Sequence, residues 1–186
     1  MSQFLSRSRK PSAVLSQSSG FTLVESLAAA AVVGLLMAIA APSFLGFWQQ
    51  RKINITQDMI YQALRITQSE AMQLRCDRRF SIREQSGRME WASHDDATLA
   101  SQITAWQPLV EGVGFATIDN TLLKASSVYY IRFDMYGNVK SQLGTVTVAM
   151  TGSKTTHRCV VVSTMLGAMR KGTGRTKANG NERFCY

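Results

Sequence analysis

The stretch "GFTLVESLAAAAVVGLLMAIAAPSFLGFW", residues 20–48, is apolar apart from one acid, Glu25. From Ser26 to Gln50 there is no formal charge, a run of 25 residues. At about 1.5 Å per helical residue this is enough to cross a hydrocarbon core of about 30 Å. Glu25 sits just inside the run, where an ionisable side chain is costly and needs a partner. Pro42 lies within it and is expected to kink or locally melt the helix, because it removes a hydrogen bond.

Upstream, residues 1–20 carry three cations (Arg7, Arg9, Lys10), no acid and many serines. This basic flank predicts a cytoplasmic N-terminus, with everything after residue 50 across the membrane in the periplasm; Arg51 and Lys52 flank the far side. A general secretory signal carries its small-residue cleavage site after the apolar run, whereas Ser18-Ser19-Gly20 stands before it. The Gly-Phe-Thr-Leu-Val-Glu string and the helix behind it resemble the class III signal of type IV pilins and pseudopilins. Gly34 and Pro42 also fall where pilins usually carry them. The resemblance implies cleavage by prepilin peptidase between Gly20 and Phe21 and N-methylation of the Phe21 amine. It also implies that Glu25 pairs with the N-terminal amine of a neighbouring subunit during assembly. Residues 1–20 are then a leader, and 21–48 a helix that spans the inner membrane and later enters a filament core of other pilins. Loss of the leader lowers the net charge from +9 to +6, leaving 18 cations against 12 acids.

Downstream the apolar spacing stays helical. Ile53, Ile60, Leu64, Ala71 and Leu74 share one face, with Met59 and Ala63 beside them, so the helix is expected to continue to about residue 75. The period then switches to two, predicting strands at 79–84, 88–92, 113–118, 128–133, 145–150 and 158–164, with turns at Ser86-Gly87 and Tyr136-Gly137-Asn138. Residues 97–107 are ambiguous, since Leu99, Ile103 and Trp106 also suit a short helix. Strands in series without long intervening helices argue for antiparallel sheet, so the class is α+β, with a long N-terminal α-helix packed on a β-sheet domain at 49–166. The segments "ITQSEAMQLR", "YIRFDMYGNV" and a last hairpin "RCVVVSTMLGAMRKG" resemble the FimT/GspH group of minor pilins and pseudopilins.

The residues give no catalytic pattern. His94 and His157 are the only histidines and neither begins a metal motif. "HDD" at 94–96 reads as a solvated loop before it reads as a cation site. Cys76 has no nearby histidine to activate it, so a helix end or buried packing explains it. The scattered methionines Met59, Met72, Met89, Met135, Met150, Met165 and Met169 read as core filler. Neither an enzyme nor a cofactor is expected.

The chain closes with "GTGRTKANGNERFCY", residues 172–186. Residues 167–186 form a basic C-terminal loop in which Arg170, Lys171, Arg175, Lys177 and Arg183 face only Glu182, a net +4. In an oxidising compartment Cys159–Cys185 would tie this loop to the sheet, and Cys76–Cys185 is the competing pairing. Gly174-Arg175-Thr176-Lys177 resembles the Gly-Arg-x-Arg/Lys motif of FimT-like DNA-binding minor pilins, implicated in DNA uptake during natural transformation. The resemblance makes Arg175 and Lys177 the principal phosphate contacts, Arg170 and Lys171 the next. Arg forks suit phosphate oxygens and Lys supplies a point charge. Thr176, Asn179 and Asn181 are candidates for further hydrogen bonds, and Phe184 and Tyr186 for anchoring the loop. A second basic cluster, Arg75, Arg78, Arg79, Arg83 and Arg88, reads as a solvated helix end and strand face. The expected function is thus a DNA-binding minor pilin of a type IV pilus. A GspH-like pseudopilin of a type II secretion system and a structural pilus-tip subunit are the alternatives.

Overall fold

The computed structural model describes residues 21–151, 157–175, 177–180 and 183–186. The expected leader, Gly20 included, lies outside them, as do Thr176, Asn181 and Glu182. By its internal contacts the chain divides into two units, Met1–Ser43 and Phe44–Tyr186.

In the first unit Thr22 caps the helix start. Its Oγ1 accepts the Glu25 amide at 3.2 Å, which satisfies one of the free amides of the first turn. Glu25 itself lies in that first turn, where a negative charge suits the helix dipole. Helix α1 is assigned continuously over Leu23–Leu74, so the expected melting at Pro42 does not occur. One missing donor leaves the hydrogen bonds of the flanking turns in place. It is the one helix among the described residues long and apolar enough to cross a membrane.

In the second unit α1 presents the predicted stripe: Ile53, Ile60, Ala63, Leu64 and Ala71 are all at most 1% exposed. Leu74 is not part of it, at 61% exposed, because Arg75 adopts a left-handed conformation (φ 52°) that turns the chain away. The same stripe also contains four buried polar residues, Thr56, Gln57, Thr67 and Gln68. The two threonines donate to the carbonyls of Lys52 and Ala63 one turn back. The two glutamines bond the sheet.

Among the described residues nine strands follow, in two antiparallel sheets. The first runs β3 (Gln107–Pro108), β2 (Arg88–Asp95), β1 (Arg78–Gln85), β6 (Val128–Phe133), β5 (Leu123–Ala125); the second runs β4 (Val113–Phe115), β7 (Thr145–Met150), β8 (His157–Val162), β9 (Met169–Thr173). The two strands not expected, β3 and β5, lie at sheet edges and are too short to show a period of two, while β9 is the second arm of the expected last hairpin. Residues 100–102 form one 3-10 turn, and Trp106 serves the sheet, with the Arg83 guanidinium 3.9 Å from its ring centre. The core joins the α1 stripe to Phe80, Ile82, Ile131 and Phe133 of the first sheet and Val146, Val148, Val160 and Val162 of the second. Strand β8 is buried on both faces. Val160 and Val162 face the core, while Cys159 and Val161 form a separate cluster with Cys185.

The methionines divide. Met89 and Met169 are buried and Met59 and Met150 pack on the core, but Met72, Met135 and Met165 are 44–54% exposed. Composition alone cannot separate an apolar side chain in the core from one on a loop at its edge.

Candidate nucleic-acid interface

Strand β9 is the edge of the second sheet and leads directly into the basic segment. Beyond Thr173 the chain does not hang free. Gly174 bridges Cys185, the Arg175 amide donates to Phe184 O at 2.7 Å, and Thr173 and Tyr186 exchange longer bonds at 3.3 and 3.4 Å. Residues 173–175 and 184–186 are thus paired antiparallel, which joins the two ends of the basic loop. Cys159 and Cys185 form the disulfide, with Cα atoms 6.2 Å apart, and Cys76 is free and half-buried. Near its tip, the Asn179 amide donates to Arg183 O (2.8 Å) and the Arg183 amide to Asn179 Oδ1 (3.0 Å).

A residue without sequence signal completes the anchorage. Asp119, in the left-handed region at φ 57°, accepts the Phe184 amide at 2.6 Å and the Cys185 amide at 2.8 Å, both on Oδ2. Nothing in "ATIDNT" marks this aspartate over Asn120, because its partners are 65 and 66 residues away. Two glycines admit the close approach. An added Cβ at Gly172 would lie 2.7 Å from Cys159 Sγ, and one at Gly174 would lie 2.6 Å from His157 Cβ. Gly174 therefore makes room for the protein itself, with its amide on His157 O at 2.8 Å.

The five cations differ in their surroundings. Lys171 is committed: its Nζ lies 2.7 Å from Asp58 Oδ1 and 5.1 Å from the ring centre of Tyr61, both on α1. The Arg175 guanidinium lies 4.9 Å from the ring centre of Tyr186, which orients it without removing its charge. Arg170, Lys177 and Arg183 are exposed and have no acidic partner among the described residues. Tyr186 and Phe184 are half-buried, in keeping with anchoring.

The second basic cluster is a solvated face only in part: Arg75 at the helix end and Arg88 are exposed, but four of its arginines are paired. Arg78 pairs with Glu70 (2.6 Å), Arg79 with Asp96 (2.7 Å), Arg83 with Glu90 (3.0 Å) and Arg88 with Glu111 (3.3 Å). Arg132 shares Asp96. Cross-strand register sets Arg83 opposite Glu90 and Arg79 beside Arg132 over their shared Asp96, which a linear reading does not contain. Burial pushes the Asp96 carboxyl up, but hydrogen bonds from Arg132 and Arg79 outweigh it and hold the group below the ordinary carboxylate value. "HDD" is not a solvated loop. His94 is buried on β2, between Ser81 Oγ (2.8 Å from Nε2) and Asp95 O (2.8 Å from Nδ1). A carbonyl only accepts, so Nδ1 carries the proton and Nε2 accepts from Ser81. Burial, ahead of the Arg79 and Arg78 charges, lowers the His94 pKa against the opposing Asp95 hydrogen bond. Among the described residues no cluster of His, Cys, Asp and Glu is arranged to hold a metal ion.

Residues 57–166 match the family model described as type II transport protein GspH, and residues 15–41 match the prokaryotic N-terminal methylation motif. The chain belongs to the GspH family. Among solved structures, the type IV minor pilin FimU of Pseudomonas aeruginosa is similar at 14% identity, over 67% of this chain and 90% of that one, with a TM-score of 0.46. No curated protein matches. This GspH-family chain with its methylation motif is accordingly of the pilin and pseudopilin kind, families of structural subunits. Its methylation motif implies processing by prepilin peptidase, its family implies assembly with other pilins, and its apolar helix fits a membrane-anchored subunit that later joins a filament.

Proposed function

We propose that this GspH-family subunit is a minor pilin that binds DNA through its C-terminal loop and serves DNA uptake in natural transformation. One observation carries the reading: Arg170, Arg175, Lys177 and Arg183 are exposed on a loop fixed by a disulfide and by Asp119, whereas most arginines elsewhere in the domain are neutralised by acids. A fixed loop loses less conformational freedom on binding than a solvated tail. Arg175 and Lys177 are the main phosphate contacts, with Arg170 and Arg183 flanking and Lys171 secondary because Asp58 holds it. Phosphate recognition by charge reads backbone, not sequence. In the same reading, prepilin peptidase cuts between Gly20 and Phe21, the Phe21 amine is methylated, and Glu25 meets the amine of a neighbouring subunit. The chain then divides into the leader, 1–20, the helix that spans the inner membrane, 21–48, the periplasmic pilin domain, 49–166, and the DNA loop, 167–186.

The test is DNA binding by the full chain in neutral detergent across a salt series, beside Arg175→Ala/Lys177→Ala. Three or four phosphates neutralised give a log–log salt slope of about −3 to −4, and the double variant loses about two units of it. Equal binding by parent and variant would remove DNA from the account. It would leave the second reading, a pseudopilin of a type II secretion filament, which the match of residues 57–166 to the GspH model favours.

A further inference from the structure

Two glutamines on α1 fix the height of the basic loop along the helix. Gln57 Nε2 donates to Cys159 O (2.7 Å) and Gly172 O (2.8 Å); Gln68 Nε2 donates to Gly137 O (2.8 Å) and Gly167 O (3.4 Å). Between the two glutamines the helix rises about 16 Å. The chain from Gly167 to Gly172, if extended, covers about the same distance. Strand β9 therefore runs back beside α1, from the level of Gln68 to that of Gln57, towards the start of the domain part of the helix. Pairing with residues 184–186 keeps the chain extended through Arg175, three residues beyond Gly172. Arg175 then lies about 10 Å below Gly172, level with about residue 50 of the helix.

That is where the uncharged run ends. Phe44, Leu45, Phe47 and Trp48 are exposed on α1, and the exposed Arg51 and Lys52 follow. Trp48 suits the aromatic belt at a membrane surface, and the headgroup layer outside the hydrocarbon core is about 5–8 Å thick. Arg158, on β8, reaches the same level: its Nε donates to Asn54 Oδ1 at 2.9 Å, one turn above Gln50. That partner is neutral, so the charge of Arg158 stands. Among the described residues, Asp58 of α1 is held by Lys171, and Asp119 by the Phe184 and Cys185 amides. On the first sheet the arginines of β1 and β2, Arg78, Arg79, Arg83 and Arg88, are matched by Glu70, Asp96, Glu90 and Glu111.

We propose that the base of the domain is a contact for anionic phospholipid: Arg51, Lys52, Arg158 and Arg175 lie in the headgroup layer of the membrane that α1 spans and hold its phosphates until the subunit leaves for a filament. Four cations at one level attract an anionic surface within a Debye length, and the attraction is screened by salt. The contact stands whether or not the loop binds DNA. Where the proposed DNA reading holds, Arg175 is shared, so lipid and DNA exclude one another and the loop is free for DNA only after extraction from the membrane.

The experiment uses the full chain in lipid nanodiscs of phosphatidylcholine alone, or with one third phosphatidylglycerol, without DNA. An arginine-selective dicarbonyl reagent labels the protein, and mass spectrometry reads the rate at each site. Arg75 is the internal control, exposed at the far end of the α1 helix. Labelling of Arg158 and Arg175 is expected to slow at least threefold in the anionic discs and to recover at high salt, with Arg75 unchanged. Equal rates for Arg158 and Arg175 in the two lipids would overturn the proposal, as would an equal slowing at Arg75. Because no DNA is present, the result is independent of the salt-series experiment.

Discussion

At the scale of the residue, Asp119 carries more of the loop's order than any cation in it. One carboxylate oxygen accepts two consecutive amides, a charge-assisted arrangement stronger than neutral hydrogen bonds. Asp119→Ala is expected to cost about 1–3 kcal/mol and to speed hydrogen exchange at the Phe184 and Cys185 amides. Unchanged exchange at those two amides would refute the clamp. His94 gives a pH dependence of definite sign. Its folded pKa is below the ordinary 6.5, so the unfolded chain binds more protons between the two values. The stability it contributes is fully present above 6.5 and is lost as pH falls through 6.5 towards the lowered folded value. Urea midpoints measured above and below that range should fall with acidification, and less steeply in His94→Gln. Asp96 acts further down: its stabilisation is present above the ordinary 3.8 and lost as pH falls through its lowered value.

At the scale of the element, α1 shows both the strength of periodicity and its limit. Ile53, Ile60, Leu64 and Ala71 were legible because burial recurs every 3.6 residues. Gln57 and Gln68 occupy the same stripe and were not legible, since a glutamine is buried only when something distant accepts its protons. Here the acceptors are carbonyls of β8, β9 and the turns beside them. Strand β9 poses the reverse case. "MRKGT" reads as polar and glycine-rich, yet Gly172 is buried against the disulfide. Gly172→Ala should cost about 1–3 kcal/mol by overpacking, while Gly180→Ala, with nothing within 4 Å of its added Cβ, should be close to neutral. Comparable thermal midpoints for the two variants would contradict this.

At the scale of the whole molecule, the disulfide joins Cys185 to β8, an inner strand of the second sheet. It closes a separation of 26 residues, for which chain entropy gives about 3 kcal/mol. Cys159→Ser/Cys185→Ser should lose stability of that order, and reduction of the parent should reproduce the loss in a denaturant series. A reduced parent as stable as the oxidised one would count against this. The double variant should also bind DNA more weakly at constant salt, because a freed loop must be ordered again on binding. The charge distribution has the same global origin. Two basic regions look alike in sequence; tertiary pairing neutralises most of the one at 75–88 and leaves most of the one at 170–183 exposed.

The sequence by itself determined what depends on neighbours along the chain: the apolar helix, the amphipathic stripe, the longer strands, the class of fold and the location of the basic segment. Periodicity and local chemistry encode all of these. Only the tertiary structure decided which arginines are free, which cysteines meet, that Asp119 fastens the C-terminus, that His94 is buried and that the loop lies beside the start of the domain helix. Each of these is a relation between residues far apart in sequence, fixed by strand register and by two glutamines spanning from helix to sheet. Such contacts leave no mark on the composition or spacing of either partner.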